Sequence, residues 1–230
     1  MLQRIAALID EVRQVGAQQK DAEIKALEAE INPHFLYNIL DSVNWMAIDR
    51  EEYEISQMIS SLAKILRYSI NNSNEVVPLK DEVEWLRQYI YLQQVRFKDS
   101  FDYLIDVDDS LLELPVHKLI LQPFVENAIR HGFKDSTRRN ILRISAKEEN
   151  GVLLSIQDNG CGIQADKLDA ILERTSEEKD HIGIANVIDR IQMYYGDSAE
   201  IQVMSEWMVG TTITIYLRPE GGARNDGCGG

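Results

Sequence analysis

The chain has 230 residues, 44% of them hydrophobic, which is enough for a packed core in one or two domains. Its 38 Asp and Glu outweigh 24 Lys and Arg, for a formal net charge of −14, and a field of that sign repels phosphate backbones and anionic lipid. Nucleic acid and membrane surfaces are therefore excluded as expected partners, while a nucleotide is still allowed, because a divalent cation and backbone N–H groups offset the global field locally. Cys161, between two glycines, and Cys228, in a Gly-rich tail, form no disulfide framework and suit a reducing cytosol. No apolar run reaches membrane-spanning length and no signal peptide is visible.

Residues 2–31 read as helix. Ile5, Leu8, Val12 and Val15 follow the three-four spacing of a coiled-coil seam, and Ile24, Leu27 and Ile31 keep the spacing in a shifted register. The alternative is an ordinary amphipathic helix that packs once. Pro33 removes a backbone donor and biases Asn32 away from helical angles, which predicts a kink just before His34. Leu36, Leu40, Val43 and Ala47 then form one stripe, Asp49 to Glu52 a turn, and Ile55, Met58, Ile59, Leu62, Ile65 and Leu66 a second amphipathic helix. Two such hairpins make a four-helix bundle.

Asn71 to Asn74 is a linker by composition. Beyond it the pattern predicts a helix over Leu79 to Phe97, a strand over Phe101 to Val107 and a helix over His117 to Arg130. Strands over Ile141 to Lys147 and Leu153 to Asp158 follow, joined by a Glu-Glu-Asn-Gly turn. A helix over Ile182 to Tyr195 and strands over Glu200 to Met204 and Thr211 to Leu217 complete the series. The expected fold is α + α/β. An N-terminal coiled coil (1–31) and a helical hairpin (32–74), dimerising as a four-helix bundle, precede an α/β sandwich (75–218) with a mixed sheet and helices on one face. A tail (219–230) is Gly-rich and is expected to be disordered.

Four segments carry candidate chemistry. Asn127, Arg130 and His131 stand three and four apart, which puts them on one helix face beside Glu126. An amide oxygen such as that of Asn127 is a hard ligand suited to Mg²⁺, and Arg130 and His131 can meet phosphate oxygens. Asp158-Asn159-Gly160-Cys161-Gly162 follows an alternating strand. A carboxylate there can accept an adenine amino group, and Gly160 and Gly162 let the backbone pass close to the base. Gly183, followed by Ile184, opens a helix whose backbone donors suit a triphosphate. Gly210-Thr211-Thr212 precedes the last strand, where a hydroxyl such as that of Thr211 can hold a water. Each segment has a bland reading when taken alone: a polar helix face, a common turn, a packing glycine, an ordinary hairpin.

Taken in order, these segments resemble the ATP-binding fold shared by histidine kinases, gyrase, the Hsp90 chaperones and MutL. Upstream, Asn32-Pro33-His34-Phe35-Leu36-Tyr37-Asn38 resembles the LytS-type phosphoacceptor segment residue for residue. Roughly residues 25 to 218 are thus similar to the catalytic core of a LytS-type sensor histidine kinase. The resemblance implies ATP and Mg²⁺ as cofactors, with Asn127 on the metal, Asp158 on adenine and residues 164–182 as a lid. It implies autophosphorylation of His34 and transfer to an aspartate on a response-regulator receiver domain supplied in trans. Because Phe35 follows His34 where many histidine kinases place an acid, the base must come from elsewhere: Glu126 is the expected one and Glu30 the alternative, while Asn38, one turn after His34, orients a water or bonds within the bundle. A homodimer is implied, as are membrane-embedded sensor segments upstream. The chain would then be the soluble cytoplasmic portion of a membrane-anchored bacterial receptor. One departure stands out: His181 occupies a position where the family pattern has glycine. Two other readings stay open, a non-catalytic dimeric signalling module with a degenerate ATP site and a gyrase- or chaperone-like ATPase.

Overall fold

The computed structural model describes residues 33–70, 75–98, 100–134, 139–173 and 182–218. The expected coil, the kink before Pro33, the 71–74 linker, the charged segment 174–180 with His181, and the tail lie outside the described residues. The chain divides into two compact units, Met1–Asn71 and Asn72–Gly230.

In the first unit, α1 (Pro33–Asp49) and α2 (Tyr53–Ile70) form an antiparallel hairpin. The chain reverses through Glu51, which takes a left-handed φ of 61°, and Glu52 N–H caps the end of α1 by donating to Ala47 O at 2.9 Å. Ala47 and Ser61 are buried, small residues that let the helices approach. Ser56 Oγ donates to Asn44 Oδ1 at 2.7 Å across the pair, and the Arg67 guanidinium lies over the Tyr37 ring, 5.2 Å from its centroid. Val43, expected on the packed stripe, is exposed instead. Asn44, one residue later, takes the inward place through its bond to Ser56. Val43 joins Phe35, Ile39 and Met46 in a second, exposed apolar stripe.

In the second unit, strands β2 (Phe101–Val107), β4 (Asn140–Glu148), β5 (Val152–Asp158), β6 (Ala199–Glu206) and β7 (Gly210–Leu217) form a mixed sheet in the order β2-β4-β5-β7-β6. The β2–β4 pair is parallel and the others are antiparallel. Alternation sets the faces. Leu142, Ile144, Leu154, Ile156, Ile213 and Ile215 are buried on one side, while Arg143, Gln157 and Gln202 are exposed on the other. Two helices carry the matching buried apolar stripes, α3 (Leu79–Arg96) with Val83, Leu86 and Ile90, and α6 (Ile182–Tyr195), which contacts β6, with Val187 and Ile191. Each fully buried side chain of this kind contributes about 1.5–3 kcal/mol. Helix α5 (Ala165–Leu172) occupies part of the expected lid.

The expected helix over His117 to Arg130 is corrected. Residues Pro115–His117 are a strand, β3, paired antiparallel with β1 (Val76–Pro78). The helix begins only at α4 (Gln122–Asn127), with Pro123 in its first turn, where the absent N–H costs nothing. Between them Leu119 has a left-handed φ of 58°. Both of its peptide groups are held: its N–H donates to the buried Glu82 Oε1 at 2.6 Å, and its carbonyl accepts from Arg190 Nη2. That turn stops any helix from crossing it.

His117, the expected start of that helix, is a half-buried strand residue. Its ring stacks on Tyr194 with centroids 3.9 Å apart, and its backbone N–H donates to the Tyr195 hydroxyl at 3.0 Å. Burial, aided by the Arg190 charge, holds its imidazole below the usual range, and Nδ1 is buried without a partner. The unfolded chain therefore takes up this proton more readily than the folded one. The stability contribution is whole above the unfolded pKa of ~6.5 and is lost as pH falls through and below it. Urea midpoints are expected to drop between pH 7 and pH 5, and less steeply in His117→Phe, which keeps the stacked ring. Equal slopes in the two proteins would show that His117 does not carry the effect.

Candidate functional site

The sheet register builds the centre of the site. Ser205 pairs with Thr211, Thr211 with Asp158, and Asp158 with Leu142. These four residues form one row across the inner face. Apolar alternation along β5 thus ends in a carboxylate that is only 8% exposed. Gly160 N–H donates to Asp158 Oδ1 at 2.8 Å, which fixes the rotamer of the acid. Ser205 Oγ lies 2.9 Å from Thr211 Oγ1 and accepts from Ile163 N–H at 2.8 Å.

The loop after β5 is gripped on three sides. Asn159 Oδ1 accepts from Ile141 N–H at 2.6 Å and its Nδ2 donates to Arg139 O at 3.0 Å, tying the loop to the start of β4. Cys161 N–H donates to Gly132 O at 2.7 Å, and Cys161 O accepts from Met208 N–H at 2.6 Å. At Gly160 an added Cβ would lie 2.2 Å from Gly132 O. At Gly162, where φ is +63°, it would lie 2.0 Å from Glu206 O. Backbone on backbone cannot yield at such distances, so both glycines are required by close approach.

The opposite wall comes from the end of α4. There the backbone widens into a π-turn over Ala128–Gly132, with Phe133 N–H donating to Ala128 O five residues back at 3.0 Å. Turns of this kind re-aim side chains. Asn127 and His131 both face a cavity of ≈190 Å³, but Arg130 does not. The regular spacing that placed all three on one face does not survive the widened turn.

The cavity unites Asn127, His131, Asp158, Gly162, Ile184 and Thr211 of the sequence-derived set. Gly160 lies behind it, packed on Gly132, and Gly183 is the second residue of α6. Glu126 also stands outside the lining. Its Oε1 accepts from Gln122 Nε2 at 2.7 Å, and its charge adds to burial in pushing the Tyr89 phenol up to about 12. Sequence reasoning missed Phe124 and Trp207 of the lining, and Ser205 behind Thr211, while Lys167 falls within the expected lid. Ser205 had a signal: it shares the inward parity of Ile201 and Val203.

Asn127 has its Nδ2 buried without a partner in the described structure. A buried unpaired amide is costly unless a ligand completes it. Among the described residues no group of three or more His, Cys, Asp or Glu is placed to hold a metal. One amide oxygen is nonetheless the kind of donor Mg²⁺ accepts when phosphates and water supply the rest of its shell. The unpartnered Nδ2 calls for an acceptor such as a phosphate oxygen, and the amide oxygen is of the type that Mg²⁺ takes, so Asn127 fits a Mg²⁺–phosphate group; the deep carboxylate among apolar walls fits a flat heterocycle bearing an amino group.

His34 and Asn38 lie in the first unit, both exposed on α1. Asn38 Nδ2 is 3.3 Å from His34 Nδ1. Among the described residues no helix is long and apolar enough to cross a membrane.

Residues 22–101 match the histidine kinase family model, and residues 115–221 match that of the histidine kinase-, DNA gyrase B- and HSP90-like ATPases. The chain is 37% identical to the sensor histidine kinase YesM of Bacillus subtilis over 94% of its own length and 37% of that protein. It is 32% identical to the sensor protein LytS of Staphylococcus haemolyticus, covering 86% of this chain and 34% of that one. Against the sensor histidine kinase YpdA of Escherichia coli it is 30% identical, covering 91% and 36%. The chain thus spans about a third of the length of these relatives. Among solved structures, Acinetobacter baumannii histidine kinase AdeS aligns with a TM-score of 0.46 at 16% identity, covering 81% of this chain and 95% of that one. The C-terminal unit carries an ATP-binding domain of the histidine kinase, gyrase and HSP90 type. With its N-terminal match, the chain belongs to the sensor histidine kinase family.

Proposed function

We propose that this chain is the catalytic core of a sensor histidine kinase that transfers the γ-phosphoryl of ATP to its own His34 and then to an aspartate on a separate response regulator. One observation carries the reading: an exposed imidazole, backed by an amide, stands on a chain whose other unit holds an amine-accepting carboxylate and a ligand-ready Asn127 in one cavity.

The chemistry asks mainly for position and charge. Bound with the nucleotide, Mg²⁺ would neutralise the phosphate oxygens, and Asn127 would hold it. Asp158 accepts the adenine amino group, and His131 and Thr211 line the same cavity. With the Asn38 amide turned so that its oxygen accepts from Nδ1–H, His34 is left with a bare, outward Nε2. That nitrogen attacks phosphorus, the bond to the ADP oxygen breaks, and the ring proton departs to Glu126 in this reading. Glu126 would first leave Gln122, which holds it outside the cavity.

The exposed stripe of Phe35, Ile39, Val43 and Met46 follows helical spacing and supports a dimer that pairs two hairpins into a four-helix bundle. Membrane-embedded sensor segments belong to the same reading, upstream of this chain.

Incubation with γ-labelled ATP and Mg²⁺ tests the proposal. The expected product is an acid-labile, base-stable label that maps to the peptide containing His34. Free phosphate without label would indicate an ATPase, and neither product a non-catalytic module.

A further inference from the structure

The turn between β6 and β7 carries three consecutive large apolar side chains, Trp207, Met208 and Val209, each about half exposed. Such a run at a hairpin tip is unfavourable in water and calls for a ligand or partner. The turn is also strained and tightly held. Val209 N–H donates to Glu206 O at 3.0 Å, and Met208 adopts a left-handed φ of 62°, a position in such turns that glycine usually takes. Met208 N–H bonds Cys161 O at 2.6 Å, which bolts the tip to the loop after Asp158. The consequence is specific to one residue. Trp207 becomes a wall of the cavity that also holds Asp158, Thr211 and Asn127, while more than half of its own surface is open.

We infer that Trp207 is a base-binding residue of this chain, its indole covering a face of the purine whose amino edge meets Asp158. The inference rests on the nucleotide reading above and adds to it the group that grips the base. An indole has a large π-face, and base–aromatic stacking is tolerant of which base is presented. Asp158 then supplies selection for an amino-bearing edge and Trp207 supplies grip. A half-exposed indole loses its remaining contact with water when the base arrives, so binding changes its emission. Of the other two tryptophans, Trp85 is buried and stacked on Tyr89 and has no such change to make, while Trp45, exposed on α1 of the first unit, stays in Trp207→Phe as the background signal.

Calorimetric and fluorescence titrations with ATP, ADP and tripolyphosphate, each with Mg²⁺, test this in the wild type, Trp207→Phe and Trp207→Ala. ATP and ADP are expected to alter wild-type emission, and Trp207→Phe to lose that signal while its Kd stays within about threefold. Trp207→Ala should weaken both nucleotides about tenfold, in line with measured stacking losses, and leave tripolyphosphate unchanged. Unaltered ATP affinity in Trp207→Ala would overturn the inference while leaving the nucleotide reading intact. Equal loss for ATP and tripolyphosphate would also overturn it, as damage to the loop rather than to a base contact. A wild type that fails to bind ATP would sink both.

Discussion

A His34→Gln chain is expected to bind ATP with wild-type affinity and to take up no phosphoryl label, a loss of roughly a thousandfold or more. The imidazole offers an unshared pair to phosphorus, whereas the glutamine amide nitrogen delocalises its pair into the carbonyl. The substitution should be benign to the fold. His34 is exposed on α1, its recorded contact is with Asn38 at 3.3 Å on an open face, and glutamine has good helix propensity. Surface changes of this kind stay within about 0.5 kcal/mol. Label uptake, calorimetric ATP binding and a thermal melt on one preparation check all three parts. Persistent acid-labile label in the variant would mean that another group is the acceptor.

The second large effect is expected at Asn127. Changing it to Ala should weaken Mg²⁺-dependent ATP binding about a hundredfold, equivalent to about 2.7 kcal/mol, because the cavity loses its one proposed metal-facing donor. Stability should move the other way or not at all. Asn127 Nδ2 is buried without a partner, so truncation removes an unmet polar group and leaves only a small void. The unfolding midpoint is expected to be unchanged or raised by up to ~1 kcal/mol. Stability set aside for function has this signature, and a core-packing role would give the reverse. Undiminished ATP binding with Mg²⁺ in Asn127→Ala would refute the assignment.

Legibility from the sequence tracked how local the governing physics was. The hairpin α1–α2 and strands β4, β5 and β7 announce themselves through periodicity and turn residues within a few positions. The glycines at 160 and 162 were readable as close-approach sites only through the order of the segments around them, because an Asp-Asn-Gly string taken alone is also a common turn. The strand at Pro115–His117 was not readable, since its partner Val76–Pro78 lies about forty residues earlier. Its His117 was drawn into a helix whose true start is set by Pro123. Arg130 was placed with Asn127 and His131 on the assumption of regular winding, which the π-turn at Ala128–Gly132 breaks. Trp207 carried no motif. Its relevance arises from a backbone bond between Met208 and Cys161, forty-seven positions apart in the chain.

The threefold grip on residues 158–162 bears on how ligand recognition is paid for in entropy. Asn159 clasps the start of β4, Cys161 is hung between the end of α4 and the hairpin tip, and both glycines sit backbone to backbone. That stretch is rigid before any guest arrives, so little ordering is charged there on association. On the proposed reading, discrimination among base analogues would read out direct contacts alone, with the floor of the cavity a fixed template rather than a mould.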